Sequence, residues 1–155
     1  MKVEKELLKM LVQRFRKAID EAKNNGEFPK IYPFSNFPED CCDLASDLLS
    51  HYLSDYGIET YLVNGAHWDE KCGFTCNHIW LLVEKDLIVD ITGDQFKNDP
   101  DYFNYNKAVH VGREENLHKQ FNENRNIETK TDLEDMFNAR SKTLRTVYDI
   151  IKKYL

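Results

Sequence analysis

The hydrophobic period of the chain changes once, near Gly57, and this change constrains the fold more than any other feature. Before Gly57, apolar residues recur at steps of three and four, as they do on one face of a helix. After it come short runs rich in β-branched and aromatic residues, which are typical of strands. The order of helix, helix, several strands and helix predicts an α+β domain with an antiparallel sheet.

Two amphipathic helices are predicted before the change of period. The first covers 3–23 and ends at the Asn-Asn-Gly sequence of 24–26. The second begins after Asp40, a good N-cap with Asp43 three residues on in the manner of a capping box, and runs to about Tyr56. The buried stripes are predicted at Leu8, Leu11, Phe15, Ile19 and Ala22 in the first helix, and at Ala45, Leu48, Leu49, Tyr52 and Leu53 in the second.

Four strands and a last helix are predicted in the rest of the chain. The strands are 58–65, 77–84, 87–92 and 107–112, of which the second and third form a hairpin across the charged residues 84–86. The last helix starts near Thr131, where Glu134 completes a capping box. Its inward-facing residues are predicted to be Leu133, Phe137, Leu144, Val147, Ile151 and Leu155. Because no linker or repeat divides the sequence, residues 1–155 are predicted to form a single domain.

Composition narrows the class of protein. The 155 residues are 41% hydrophobic and 31% charged, as in a globular protein. The formal net charge of −6 argues against nucleic-acid binding, since no basic stripe is present to neutralise phosphates. No signal peptide or membrane-length apolar run is found, so no membrane association is expected, and a cytoplasmic location with reduced cysteines is predicted.

Two adjacent cysteines, Cys41 and Cys42, lie at the start of the second predicted helix. The unpaired N–H groups and the positive dipole end of a helix favour the thiolate, which is the reactive form of cysteine. Burial as small core residues is the alternative. At about 100° per residue, Cys41 lies near the centre of the apolar stripe and Cys42 at its edge. Cys42 is therefore the better candidate for a cleft, although Asp40 and Asp43 would oppose its ionisation.

His78 and Asp90 are polar residues in otherwise apolar strands. If the hairpin loop is the odd-numbered 84–86, position 80 pairs with 90, and the two side chains share one face as diagonal neighbours about 7–8 Å apart at Cα. An even loop would put them on opposite faces. Trp80 and Thr92 should share the face of His78. The opposite face should carry Ile79, Leu81, Val89 and Ile91 and pack against another helix, such as the N-terminal or the C-terminal one. His78 and Asp90 should then face the start of the second helix, with the Cys42 sulfur within about 4 Å of a His78 ring nitrogen.

Three stretches carry a resemblance to a known superfamily: "FPEDCCDLASDLLSHYLSDYGI" (37–58), "HIWLLVEKDLIVDITGDQF" (78–96) and "AVHVG" (108–112). They resemble the papain-like superfamily, specifically uncharacterised bacterial proteins of its transglutaminase-like and cysteine-peptidase branches, over roughly residues 31–112. The resemblance implies a papain-like/transglutaminase-like fold with Cys42 as nucleophile, His78 as general base and Asp90 as its orienting group.

The function implied by the resemblance is that of a cysteine hydrolase or acyltransferase. The substrate would be a peptide, a protein or a small amide or ester, and the reaction would pass through a thioester without a cofactor. The oxyanion hole would use the backbone N–H of Cys42 and a side-chain amide, for which Asn36 and Gln95 are candidates. Trp80 would form a wall of the cleft. His51, His110 and His118 lack partners in the sequence and are assigned to surface or strand positions.

Two other functions stay open on the sequence. The first is a non-catalytic domain of the same fold that binds a peptide or partner in its cleft. The second is a zinc module built from Cys72 and Cys76 together with Cys41 and Cys42, near His67 and His78. Because C-x3-C is a looser signal than C-x2-C, no metal site is predicted. The sequence contains neither a phosphate-binding glycine loop nor H-E-x-x-H, and it leaves the oligomeric state open.

Overall fold

The fold consists of four α-helices and one five-stranded antiparallel sheet in a computed structural model that describes residues 2–155. The predicted α+β class is thereby confirmed. The helices are α1 (Lys5–Asn24), α2 (Cys42–Ser54), α3 (Asn116–Gln120) and α4 (Ala139–Lys152). The strands are β1 (Thr60–Asp69), β2 (Phe74–Val83), β3 (Leu87–Asp90), β4 (His110–Gly112) and β5 (Glu123–Glu128). Among residues 2–155, no helix combines the length and the apolar character that crossing a bilayer requires.

The strand order across the sheet is β4-β3-β2-β1-β5. Strands β1 and β2 form a long hairpin, from Thr60 opposite Val83 to Asp69 opposite Phe74. Strands β2 and β3 form the predicted second hairpin, in which Val83 pairs with Leu87 across the three residues 84–86. The odd loop length expected from the sequence is therefore confirmed, and with it the register that puts positions 80 and 90 opposite each other.

The two faces of the sheet bury different kinds of side chain. The helix face, as we call the surface that packs against α2 and α1, with α4 behind them, carries Leu62, Ile79, Leu81, Val83, Val89 and Ile91. The aromatic face is the opposite surface, where Val63, Trp80 and Ile88 meet Phe96, Tyr102, Tyr105, Leu117 and Phe121. The predicted inward set of Ile79, Leu81, Val89 and Ile91 is thus confirmed. The helix that covers β2 on this face is α2, which begins at Cys42, so the prediction that α2 starts on the face of His78 and Asp90 is wrong.

Several predicted boundaries are wrong. Helix α2 starts at Cys42, with Cys41 and not Asp40 in the N-cap position, because Asp40 takes a left-handed conformation (φ 59°). Helix α4 starts at Ala139, where the Asn138 side chain accepts a hydrogen bond from the Arg140 N–H. The predicted start at Thr131 fails because the N–H of Thr131 is bound by the buried carboxylate of Asp47, outside any helix.

Two elements are not predicted from the sequence, and one residue that is predicted to be buried is exposed. Helix α3 and strand β5 lie in 113–128, a stretch for which the sequence predicts no element. All six residues of β5 are exposed, so this edge strand lacks the hydrophobic alternation that identifies a strand. Phe137, predicted to face inward, is fully exposed, since it precedes the helix that was expected to bury it.

Candidate active site

The first part of the candidate site is a hydrogen bond between His78 and Asp90. His78 lies on β2 and Asp90 ends β3, and the register of the hairpin turns both side chains to the aromatic face. The His78 Nε2 and Asp90 Oδ2 atoms are 2.7 Å apart, and both residues are buried. The diagonal pair expected from an odd hairpin loop is thus formed.

Asp90 is held as a carboxylate by three donors. Its Oδ1 accepts from the backbone N–H of Thr92 at 3.0 Å, while Oδ2 lies 2.7 Å from His78 Nε2 and 3.0 Å from His118 Nε2. Burial by itself raises the pKa of Asp90, but the nearby His78 imidazole and the hydrogen bonds from both histidines outweigh it and hold the pKa well below its usual range. A fully buried charge is tolerated here because every donor around it points at it.

His118 was missed by the sequence interpretation, which assigned it to a surface or strand position. It lies on α3, is fully buried, and is the second imidazole on Asp90. Its Nδ1 accepts a hydrogen bond from the backbone N–H of Glu115 at 3.2 Å. The sequence could have indicated a second partner for Asp90. A buried carboxylate accepts more hydrogen bonds than one histidine supplies, so a further donor was to be expected.

His78, Asp90 and His118 are also the kind of group that can bind a metal ion. Their contacts argue for hydrogen bonding instead. A neutral imidazole that binds a metal through Nε2 must carry its proton on Nδ1, and Nδ1 of His118 faces the N–H of Glu115, which is itself a donor. The proton therefore resides on Nε2 and is donated to Asp90. The same reasoning fits His78, whose Nδ1 faces the amide nitrogen of Gln95 at 3.4 Å.

The two adjacent cysteines have different surroundings. Cys41 is fully buried in the core of the helix face, and its thiol donates to the carbonyl oxygen of Pro33 at 3.2 Å. Cys42, the first residue of α2, is only partly buried. The helical phase therefore separated the two side chains correctly, with one in the core and one at its edge.

Cys42 lies beside the middle of β2, close to the backbone of Ile79. Burial raises the pKa of the Cys42 thiol to about 12, with the negative charges of Asp43 and Asp90 adding to the rise and a hydrogen bond from the Ile79 backbone opposing it. One helical turn on, the Ser46 hydroxyl donates to the carbonyl oxygen of Ile79 at 3.4 Å. The first turn of α2 therefore contacts β2 beyond Leu81, where the pairing with β3 ends. The resting thiol is protonated.

No hydrogen bond joins the Cys42 thiol to the His78 ring among residues 2–155. Helix α2 packs on the helix face, whereas the His78 ring lies among Trp80, Phe96 and Phe121 of the aromatic face. The chain thus brings the cysteine and the His–Asp pair to neighbouring residues of β2, Ile79 and His78, without forming the Cys–His contact that the sequence predicted.

The two oxyanion-hole candidates line the same surface cavity, of about 320 Å³. Asn36 belongs to a short 3₁₀ turn, and Gln95 to the 3₁₀ turn that follows β3. The Gln95 amide donates to the carbonyl oxygen of Thr92 at 3.0 Å and approaches His78 Nδ1. Neither Cys42 nor His78 lines this cavity, so Gln95 is the residue that connects it to the His–Asp pair.

Trp80 packs beside His78 as expected, with ring centroids 5.6 Å apart, but only 1% of it is exposed. Its ring also contacts His118 edge-on at 5.0 Å and carries the Arg125 guanidinium 5.0 Å from its centroid. Its edge borders a cavity of about 600 Å³ that Cys42 does not line. Trp80 therefore supports the buried histidines and is not the predicted wall of a cleft at the cysteine.

The four cysteines do not form the alternative zinc site. Cys41 is in the core and Cys72 is exposed in the turn between β1 and β2. In the part of the chain that the structure describes, the one cluster with metal-ligand character contains no cysteine. His67 instead contacts the Tyr102 hydroxyl through Nδ1 at 3.1 Å and the Gln120 amide through Nε2 at 3.1 Å.

Two glycines allow close packing around the buried histidines. A Cβ on Gly65, which lies opposite His78 in the sheet, would come within 2.1 Å of the carbonyl oxygen of Phe121. A Cβ on Gly93 would come within 2.6 Å of the Tyr105 ring and 3.2 Å of Asp90 Oδ2. Both positions require the absence of a side chain because backbone or rigid aromatic atoms occupy the space.

Comparison of the chain with models of protein families, with curated proteins and with solved structures gives no match.

Proposed function

We propose that this protein is a cysteine-dependent hydrolase or acyltransferase of papain-like/transglutaminase-like type, with Cys42 as nucleophile, His78 as general base and Asp90 as the orienting group. The observation that carries the proposal is the 2.7 Å hydrogen bond from His78 Nε2 to Asp90, which leaves Nδ1 as the basic atom of the ring. A base held in one tautomer by a buried carboxylate is what an unactivated thiol requires.

The reaction would proceed through two acyl transfers. The Cys42 sulfur attacks the carbonyl carbon of an amide or ester while its proton passes to His78 Nδ1. The bond from that carbon to nitrogen or oxygen then breaks, and His78 returns the proton to the leaving amine or alcohol. Water or an amine attacks the resulting thioester, and the thiol is released. Since the resting Cys42 pKa is raised to about 12, proton transfer accompanies attack and no thiolate accumulates beforehand.

Substrate binding must bring the sulfur and the imidazole together. The Gln95 amide, at 3.4 Å from Nδ1, makes a long contact that a small rotation would release. Gln95 would then be free to donate to the carbonyl oxygen of the substrate along with the backbone N–H of Cys42, which is how it would complete an oxyanion hole. The substrate would be a peptide, a protein or a small amide or ester, and the net charge of −6 disfavours strongly acidic ones.

Hydrolysis of p-nitrophenyl acetate together with labelling of all four cysteines by iodoacetamide tests this proposal. We expect Cys42→Ala to abolish esterase activity, while Cys41→Ala and Cys72→Ala retain it. Labelling is resolved residue by residue with mass spectrometry. We expect His78→Gln to slow the alkylation of Cys42 by about 100-fold, which is the usual size of general-base assistance, and to leave the alkylation rate of the exposed Cys72 unchanged. Activity that persists in Cys42→Ala would refute the assignment of the nucleophile.

A second candidate is a non-catalytic domain that binds a peptide or partner. The raised Cys42 pKa, the full burial of His78 and the missing Cys–His hydrogen bond favour it. The labelling experiment separates the two functions. A Cys42 that reacts at the same rate with and without His78, in a protein without esterase activity, would support binding over catalysis.

A further inference from the structure

The Asp90 carboxylate is shared by two imidazoles, although a catalytic triad needs only one. His78 and His118 each have Nε2 within 3.0 Å of the same oxygen, Oδ2. Their rings lie 6.4 Å apart at 26°, so they approach that oxygen side by side. All three residues are at most 1% exposed, so water does not compete for these hydrogen bonds.

Helix α3 fixes His118 as a donor to Asp90. The backbone N–H of Glu115 occupies Nδ1, which leaves Nε2 as the only ring atom that can carry the proton of a neutral imidazole. Glu115 is itself held by the Tyr105 hydroxyl on Oε1 and by the Lys107 ammonium on Oε2, both at 2.6 Å. The donor that faces Asp90 is therefore set by a chain of contacts that begins at the surface.

The N–H of Thr92 and the two imidazoles leave Asp90 little freedom to rotate. Oδ1 is bound by the backbone N–H of Thr92 immediately after β3, and the next residue, Gly93, leaves no room for a Cβ between Asp90 Oδ2 and the Tyr105 ring. Without His118, Oδ2 would retain His78 as its only donor, and the carboxylate could turn about its own bond to Cβ. The orientation of the His78 ring would then be less well defined.

We infer that His118 is a positioning residue: through Asp90 it holds His78 in the tautomer with the proton on Nε2 and with Nδ1 as the basic atom, which faces the Gln95 amide. This inference rests on the proposed function for its catalytic meaning, but the tautomer itself can be observed without any activity. His118 touches neither Cys42 nor a substrate position, and it acts only through the carboxylate.

The chain offers a matched pair of variants at this position. His118→Gln keeps an N–H donor toward Asp90, and His118→Phe keeps the ring volume without any donor. Both lose the acceptor for the Glu115 N–H, so their difference isolates the bond to Asp90. Long-range proton–nitrogen NMR spectra of protein with ¹⁵N-labelled histidine report the tautomer of each ring. The rate of iodoacetamide labelling of Cys42 relative to Cys72 reports how well His78 acts as a base toward the Cys42 thiol.

We expect His78 to keep its proton on Nε2 in the wild type and in His118→Gln, and to populate both tautomers in His118→Phe. Labelling of Cys42 should fall about tenfold in the Phe variant, which corresponds to the loss of one hydrogen bond to a charged group, and should recover in the Gln variant. An unchanged His78 tautomer in a folded His118→Phe protein would overturn the inference. So would a Gln variant that behaves like the Phe variant. If Cys42 labelling does not depend on His78 in the wild type, the proposed function fails, while the tautomer comparison still decides the role of His118.

Discussion

The two faces of the sheet are stabilised by different physical interactions. On the helix face, α1, α2 and α4 bury a large cluster of mainly aliphatic and phenylalanine side chains, and the charged residues buried among these helices, Arg16 and Asp47, have hydrogen-bond partners of their own. On the aromatic face, an anion and two histidines are buried among aromatic rings and satisfied by one another. Apolar burial stabilises in proportion to area and tolerates small changes of position, whereas a buried charge requires every donor to be present. We therefore expect the two faces to tolerate substitution differently. The helix face supplies stability, and the aromatic face supplies a geometry that only a few residues can form.

The largest effect should come from removing the anion of the aromatic face. We expect Asp90→Ala to lower the free energy of unfolding by about 4 kcal/mol, because it leaves two buried imidazole N–H groups without an acceptor. Urea unfolding followed by circular dichroism measures this. Asp90→Asn keeps one acceptor oxygen and should lose less than the Ala variant. If the Ala and Asn variants both lose less than about 1 kcal/mol, the carboxylate does not hold the two histidines as described.

Leu48→Ala probes the helix face for comparison. Leu48 is a fully buried residue of α2, and we expect a loss of about 3 kcal/mol from the missing contacts and the cavity left behind. The His78 tautomer should be unchanged in this variant, because the cavity forms on the other side of the sheet. A changed tautomer in the histidine spectrum would show that the two faces are coupled through β2.

Arg16→Lys tests a residue of α1 that reaches the segment after β3. The Arg16 guanidinium binds the Asp94 carboxylate and the carbonyl oxygens of Ile91 and Ala108 at 2.8–2.9 Å. An ammonium cannot make these contacts together, so we expect a loss of about 2 kcal/mol.

Hydrogen exchange locates the effect of Arg16→Lys. The amides of 92–97 should exchange faster in the variant, because this segment loses its attachment to α1. The exposed Lys17, one residue further along α1, provides the control: Lys17→Met should leave both the stability and the exchange of 92–97 unchanged. Uniformly faster exchange over the whole sheet would mean that Arg16 stabilises the fold without fixing the site.

The smallest expected effect is the change in the free energy of unfolding for each unit of pH, which should differ between the two faces. The pKa of Asp90 is lowered on folding, so its stabilisation is complete above the unfolded pKa of about 3.9 and is lost as the pH falls from there toward the much lower folded value. The advantage of the wild type over Asp90→Asn should therefore shrink by about 1.4 kcal/mol per pH unit below about pH 4. The advantage of the wild type over Leu48→Ala should stay constant. Urea unfolding of the wild type and both variants at pH 2.5, 3.5 and 5.5 measures these two stability differences. If both differences have the same dependence on pH, the lowered pKa of Asp90 is contradicted.

Local signals in the sequence were sufficient for the parts of the fold that have a regular period. The stripes of α1 and α2 and the alternation in β2 and β3 follow from spacing alone, and the charged residues 84–86 set the register that joins His78 to Asp90. The division between a buried Cys41 and a partly exposed Cys42 followed from helical phase. Each of these features depends on residues close together in the chain, which is why the sequence could predict them.

Tertiary structure decided what depends on distant residues. His118 carries no local signal of its role, because its partner Asp90 is 28 residues earlier and the helix that orients it is only five residues long. The position of α2 on the helix face, which separates Cys42 from the His78 ring, results from how the helices share the apolar surface of the sheet. The sequence by itself determined the α+β class and the His–Asp pair. The second imidazole and the environment of the thiol were decided only by packing, since they depend on which surfaces meet when the core closes.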